Sequence, residues 1–208
     1  LELDEPEEAL FYLKKASTLD ANIAEIFYNL GNAHYKRGQL NEAKNSYKKA
    51  IQLDPKFADS YNNLGNILQD QGLYYEATNF FEKAISIKPD YAEAYYNYGI
   101  ACGKLGKEKQ AISLYLKAEK LKPNYIEAFI NLGIIFDETG NIKNGLKYHN
   151  KVIEIDPKNA QANHNKGFSL LKLGKFKEGW QQYEYRWNTT PANKVKWPFA
   201  REGMWNNE

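Results

Sequence analysis

Gly31, Gly65, Gly99, Gly133 and Gly167 stand 34 positions apart. A fixed period of this length commits a chain to a stack of similar units rather than to one closed core. Two further columns keep the same period. Gly38, Gly72, Gly106, Gly140 and Gly174 follow seven residues behind the first set, and Pro55, Pro89, Pro123, Pro157 and Pro191 fall near each unit's end. A frame beginning at Ala24 gives five full units: 24–57, 58–91, 92–125, 126–159 and 160–193. A unit of this size cannot bury its own apolar faces, so stability must come from contacts between neighbours.

Each unit reads as two amphipathic helices. In the first, Phe27, Leu30, Gly31 and His34 lie on one face of a helical period. Tyr61, Leu64, Gly65 and Leu68, then Tyr95, Tyr98, Gly99 and Cys102, then Phe129, Leu132, Gly133 and Phe136, repeat it. The second helix carries Ala43, Tyr47 and Ala50, repeated as Ala77, Phe81, Ala84 and as Ala111, Tyr115, Ala118. A glycine inside the first helix costs about 1 kcal/mol relative to alanine. The expected compensation is room for the aromatic ring of the second helix, whose burial returns about 2–3 kcal/mol. The glycine seven residues later lies just past the first helix, where a left-handed C-cap residue is needed. The proline ends the second helix because it lacks an N–H and clashes with the preceding turn.

Large residue, Leu-Gly, aromatic, Ala, aromatic, Ala and Pro at these positions resemble the tetratricopeptide repeat, over residues 24–190. The resemblance implies an all-α fold, a right-handed superhelical solenoid of antiparallel helix pairs. It extends backward, since Ala9, Leu13, Ala16 and Leu19 precede Ala43, Tyr47, Ala50 and Leu53 by one period. Residues 1–23 are therefore expected to hold the second helix of a truncated preceding repeat, as in a piece cut from a longer array. The fourth and fifth units depart from the pattern. Gly145, His149 and Val152 replace Ala, an aromatic and Ala, with Tyr148 a candidate to take the aromatic's role. Lys166, Gly179 and Arg186 are the departures of the last unit, and polar replacement there suits a capping unit.

The 28 basic and 26 acidic residues leave a net charge of only +2, which argues against nucleic acid or a membrane surface as partner. No apolar run reaches the 18 residues of a membrane span. Cys102 is the sole cysteine, so no intrachain disulfide can form. A reducing, cytoplasmic setting is the expectation. His34, His149 and His164 are far apart in the array and lack metal-ligand spacing. No nucleophile–base constellation or phosphate loop is visible. The expectation is a chain that is not an enzyme, with no catalytic residues, metal or cofactor.

In the resembling family the first helices line the concave side. The sixth position of every unit, which points away from the packed face, is asparagine: Asn29, Asn63, Asn97, Asn131 and Asn165. Asn32, Asn62 and Asn66 thicken this ladder. A carboxamide offers two donors and two acceptor lone pairs, enough to pair with both the N–H and C=O of an extended peptide. O-linked N-acetylglucosamine transferases carry such a ladder in their repeats and hold extended polypeptide with it. An Asn ahead of Leu-Gly also serves to bond a neighbouring helix, and both readings stand at this point. The acids Glu25, Asp59, Glu93 and Glu127 fall in first helical turns, where they favour the macrodipole. Further along, Ile100, Ile130, Ile134 and Phe168 replace polar residues at groove positions, which suggests an apolar patch. The basic residues that clamp a terminal carboxylate in chaperone-binding relatives are missing; Tyr28, Asn32, Glu93 and Asn97 stand there instead.

All four tryptophans, Trp180, Trp187, Trp197 and Trp205, lie near the C-terminal end. The stretches GWQQYEYRW and WPFAREGMW resemble the junction that ends bacterial repeat arrays fused to a glycosyltransferase-like domain. Residues 191–208 are expected to form an aromatic cap or linker. Three functions follow from these readings: a module binding a protein or peptide ligand in its groove, the substrate-recognising arm of a glycosyltransferase, and a self-associating scaffold.

Overall fold

In a computed structural model the structure describes residues 6–184, and these fold into eleven α-helices with no strand among them. The aromatic tail, with Pro191 and the junction to a glycosyltransferase-like domain, lies outside the described residues. The chain divides into two compact units, 1–123 and 124–208. The first holds α1 (Pro6–Leu19), α2 (Ala24–Lys36), α3 (Leu40–Leu53), α4 (Ala58–Asp70), α5 (Tyr74–Ile87), α6 (Ala92–Lys104) and α7 (Glu108–Leu121). The second holds α8 (Ile126–Glu138), α9 (Ile142–Ile155), α10 (Ala160–Lys172) and α11 (Phe176–Tyr183). Helices α2/α3, α4/α5, α6/α7, α8/α9 and α10/α11 form the closest pairs. Their three-residue links leave only an antiparallel arrangement. Within each unit the pairs stack in chain order, α3 on α4, α5 on α6 and α9 on α10.

The two kinds of glycine have the two roles their positions predict. Gly38, Gly72, Gly106, Gly140 and Gly174 all adopt positive φ between 69° and 80°. At the end of α2 the Gly38 N–H donates to the Tyr35 carbonyl and the Gln39 N–H to the His34 carbonyl. This paired closure satisfies two carbonyls that the helix end would otherwise leave open. The interior glycines mark the closest approach of the two helices. A Cβ on Gly31 would stand 2.5 Å from Tyr47 Cδ1, and one on Gly65 2.5 Å from Phe81 Cε1. Tyr47 and Phe81 are almost wholly buried, and Ala43, Ala50, Ala77 and Ala84 beside them are completely so. The rings also serve the neighbouring pair: Tyr47 of α3 packs with Leu64 and Ile67 of α4. At the N-terminal end, Leu10 of α1 joins Leu30 and Ala33 of α2.

The second unit solves the same packing problem with different residues. The gap at Gly133 is filled by the His149 ring, whose Nδ1 would stand 2.5 Å from a Cβ there. Tyr148 therefore does not take over that position. Its ring is buried elsewhere, stacked on Phe136 at 5.7 Å and tilted against Phe129 at 6.0 Å. At Gly167 the neighbours are backbone atoms, the Tyr183 nitrogen and the Gly179 carbonyl oxygen. With glycine on both helices, α10 and α11 approach main chain to main chain.

Candidate partner-binding faces

The acids expected at helix starts, Glu25, Asp59, Glu93 and Glu127, do occupy the first turns of α2, α4, α6 and α8. The asparagines one turn further on occupy the exposed side of the same helices. In the first unit Asn29 is exposed, and Asn32, Asn63, Asn66, Asn97 and Ile100 are half-buried. Three of these amides, Asn32, Asn63 and Asn97, together with the buried Asn62, do more than line a surface. Asn97 Nδ2 donates to Asn62 Oδ1 at 3.1 Å, and Asn62 Nδ2 donates to Asn63 Oδ1 at 3.3 Å. Asn63 Nδ2 donates to Asn32 Oδ1 at 3.0 Å. The result is a continuous seam of carboxamides across α2, α4 and α6. Its end is fixed by Tyr47, whose hydroxyl donates to Asn32 Oδ1 at 2.8 Å and lies 3.3 Å from Asn63 Nδ2. Burial pushes the Tyr47 phenol well above the ordinary tyrosine range, with the Asn63 hydrogen bond pulling the other way. The group therefore remains a donor throughout the physiological range.

The sequence pattern places these amides on a common face, and the structure adds that they bond to each other. The reading of the column as bonds to neighbouring helices therefore holds for Asn63 and Asn97, and the seam keeps further donor and acceptor positions. The Tyr47 hydroxyl was not foreseeable as a member, since the pattern assigns that ring to packing alone. Its alternation with Phe81 at the equivalent position is the one available signal. Beside the seam, the Tyr28 ring lies 5.1 Å from Phe57 and 6.0 Å from Tyr47, giving the face an aromatic border.

The second unit presents a different surface. Ile130, Asn131 and Ile134 on α8 and Asn165 on α10 are half-buried, and Phe168 is 46 % exposed with Lys172 Nζ 4.6 Å from its ring centroid. The Asn165 carboxamide nitrogen is buried without a hydrogen-bond partner. Behind this surface lies a polar core that the sequence pattern does not suggest. His149 Nε2 lies 3.0 Å from Asp137 Oδ2, and the Ser169 hydroxyl donates to the same oxygen at 2.5 Å. His149 and Ser169 are fully buried and Asp137 nearly so. Room for the carboxylate comes from Gly145, where a Cβ would collide with Asp137 Oδ1 and stand 2.7 Å from Cγ. The departures at 145 and 149 are thus one coupled exchange. Asp137 is its third member, in a position held by Tyr35, Gln69 and Gly103 in the earlier repeats. The side chains of this network are shut off from solvent. His34, by contrast, is a buried ring with Nδ1 2.7 Å from Gln39 Oε1. His164 is half-buried, its ring 4.8 Å from Tyr183.

Among the described residues no helix is long and apolar enough to cross a membrane. Family profiles described as TPR repeat or tetratricopeptide repeat match residues 31–72, 57–124, 126–159 and 150–181. A comparison with curated proteins finds no match. Among solved structures, the chain is similar to YrrB, described as a TPR protein with an unusual peptide-binding site. The similarity is 25 % identity over 87 % of this chain and 93 % of that one, with a TM-score of 0.72. It is similar to MamA at 25 % identity over 79 % of this chain and 90 % of that one, TM-score 0.71. Similarity to PilF of Pseudomonas aeruginosa, at 19 % identity over 90 % and 85 % with a TM-score of 0.80, concerns the fold alone.

Proposed function

We infer that this chain, which carries tetratricopeptide repeats, is a protein-interaction module whose first-helix faces bind an extended peptide segment of a partner. The observation that carries this reading is the carboxamide seam of α2, α4 and α6. Asparagine side chains from three successive first helices, Asn62 buried and the others half-buried, form one hydrogen-bonded row. Such a row presents fixed donors and acceptors at the spacing of stacked helices, which suits a main chain lying across them. Preorganisation matters here, because amides already held by each other lose little further freedom when a ligand docks. The peptide-binding site described for YrrB supports the same class of ligand. The second unit, taken by itself, carries Ile130, Ile134 and Phe168 as an apolar face for a partner's side chains.

The test replaces Asn63, Asn97 and Asn131 with alanine. A peptide selected on the intact chain from a random-peptide display library serves as the probe, and affinity is read by fluorescence anisotropy. Each lost hydrogen bond is worth about 0.5–1.5 kcal/mol, so the triple variant should bind at least tenfold more weakly while its circular dichroism spectrum stays helical. Unchanged affinity would leave the ladder purely structural.

A further inference from the structure

Phe176 opens α11 and is 64 % exposed, and Trp180, one turn further along the same helix, is 40 % exposed. Elsewhere the apolar residues of these two columns are covered. Leu40, Tyr74 and Ile142 precede Phe176 by whole periods and are half-buried near the starts of α3, α5 and α9. Thr78, Ile112 and Leu146 precede Trp180 in the same way and are buried or half-buried. Leu40 shows the cause, because it packs on a cluster that contains Leu64 and Ile67 of the following first helix, α4. Phe176 therefore faces the place where a first helix would follow α11. Two large rings exposed on adjacent turns form the kind of apolar patch that something covers.

The sequence beyond α11 keeps the period. Trp197, Ala200 and Met204 stand two periods past Phe129, Leu132 and Phe136, in the columns of Phe27, Leu30 and His34. Their spacing of three and four puts them on one helical face. It is the face that first helices turn toward the helix before them: Phe27 and Leu30 pack with Leu10 of α1, and Leu64 packs with Tyr47 of α3. Pro198 falls at the start of this stretch, where a missing N–H costs a helix least. The interior glycine column, needed only where a second-helix ring fills the gap, here holds Arg201. The connecting length also fits. Fourteen residues separate Tyr183 from Trp197, the same number that separates Tyr47 of α3 from Tyr61 of α4.

We propose that residues 197–204 of the same chain occupy the Phe176 face, as a first helix that has no second helix of its own. Trp197, Ala200 and Met204 lie against Phe176 and Trp180. Phe199 and Trp205, which fall in the columns of Asn29 and Tyr35, both exposed, lie on the open side. The end of the array is thus closed in a fixed register by its own chain, and this face is not a docking site for a partner or for a second copy.

Two full-length chains test the register, each keeping one tryptophan, Trp197 or Trp205, with the other three changed to phenylalanine. Acrylamide quenching of the remaining indole is the measurement. Trp197 should emit at shorter wavelength and be quenched severalfold less than in urea, while Trp205 is quenched almost as readily as in urea. Phe176→Asp in the Trp197 chain places a carboxylate on the face, and an acid in a first helical turn suits α11, so the helices are retained. It should release Trp197 to free quenching at an unchanged circular dichroism spectrum, whereas Phe176→Leu should leave Trp197 protected. Free quenching of Trp197 in the folded chain, protection of Trp205 but not of Trp197, or protection of Trp197 that survives Phe176→Asp would overturn the proposal. Protection lost on dilution, together with a dimer in sedimentation, would give the face to a second copy and overturn it equally.

Discussion

Gly145→Ala is the substitution whose effect the structure defines most sharply. On an ordinary helix it would stabilise by about 1 kcal/mol. Here the new Cβ would collide with Asp137 Oδ1, lie 2.7 Å from Cγ and 3.2 Å from the Gly133 carbonyl oxygen. The backbone oxygen cannot retreat, so the carboxylate must. Its departure breaks the contact to His149 Nε2 at 3.0 Å and the Ser169 bond at 2.5 Å. Ser169 keeps a bond to the Asn165 carbonyl at 3.0 Å. His149 is left fully buried with neither ring nitrogen partnered, since its Nδ1 has no hydrogen-bond partner already. Leaving a buried hydrogen-bonding group without its partner costs about 1–3 kcal/mol, and here both the ring and the carboxylate lose theirs, about 3–5 kcal/mol together. Set against the helix gain, the second unit should lose about 2–4 kcal/mol. Urea unfolding followed by tryptophan fluorescence reads this directly, because all four tryptophans lie at position 180 or later. The chain also supplies the rescue. Its third repeat combines Gly103, Ala111 and Tyr115 at the equivalent positions, so Asp137→Gly and His149→Tyr added to Gly145→Ala should restore wild-type stability. A single variant as stable as wild type, or a triple variant that stays destabilised, would refute the coupling of these residues.

Three further outcomes follow. Gly31→Ala forces the Tyr47 ring out of its gap and should destabilise the first unit by about 1–3 kcal/mol in urea titration. Gly38→Ala meets no atom within 4 Å but must hold φ at 72°. It should cost about 1 kcal/mol from backbone strain alone, a loss that shortening Tyr47 does not relieve. Cys102 is fully buried, and burial pushes its thiol up to about 11. The native chain should resist a thiol reagent at pH 8 and label only on unfolding; rapid stoichiometric labelling would contradict its placement. Between the ordinary thiol range and about pH 11 the folded chain keeps a proton that the unfolded chain has lost. This group therefore makes stability fall as pH rises through that window, and Cys102→Ala should flatten the decline in a pH series of thermal melts.

How far the sequence carries depends on whether a residue acts through the repeat or against it. The helix pairs, the left-handed caps and the glycine–ring contacts are legible because each recurs at one period and has one physical cause. Tyr47 is legible as a packing ring, yet its hydroxyl matters through two amides that are 15 and 16 residues away along the chain. Periodicity shows that Asn32 and Asn63 share a face but says nothing of which atom points to which. Asp137 is hidden for a different reason. Its position varies freely among the earlier repeats, so an acidic residue there reads as solvent-exposed until the cavity left by Gly145 is seen. The expectation that Tyr148 would replace the missing aromatic failed because a neighbouring position on a helix faces about 100° away. Only position 149 keeps the direction in which Tyr47 and Phe81 point.

The account's central claim is that the asparagine face of α2, α4 and α6 is where a partner segment lies. Nuclear magnetic resonance of side-chain amides tests it most directly, by titrating the display-selected peptide into chain labelled with nitrogen-15. The account predicts that the NH2 resonances of Asn32, Asn63 and Asn97 shift together and saturate with the peptide. Shifts confined to the second helices α3, α5 and α7, with those three asparagines unmoved at saturation, would contradict it.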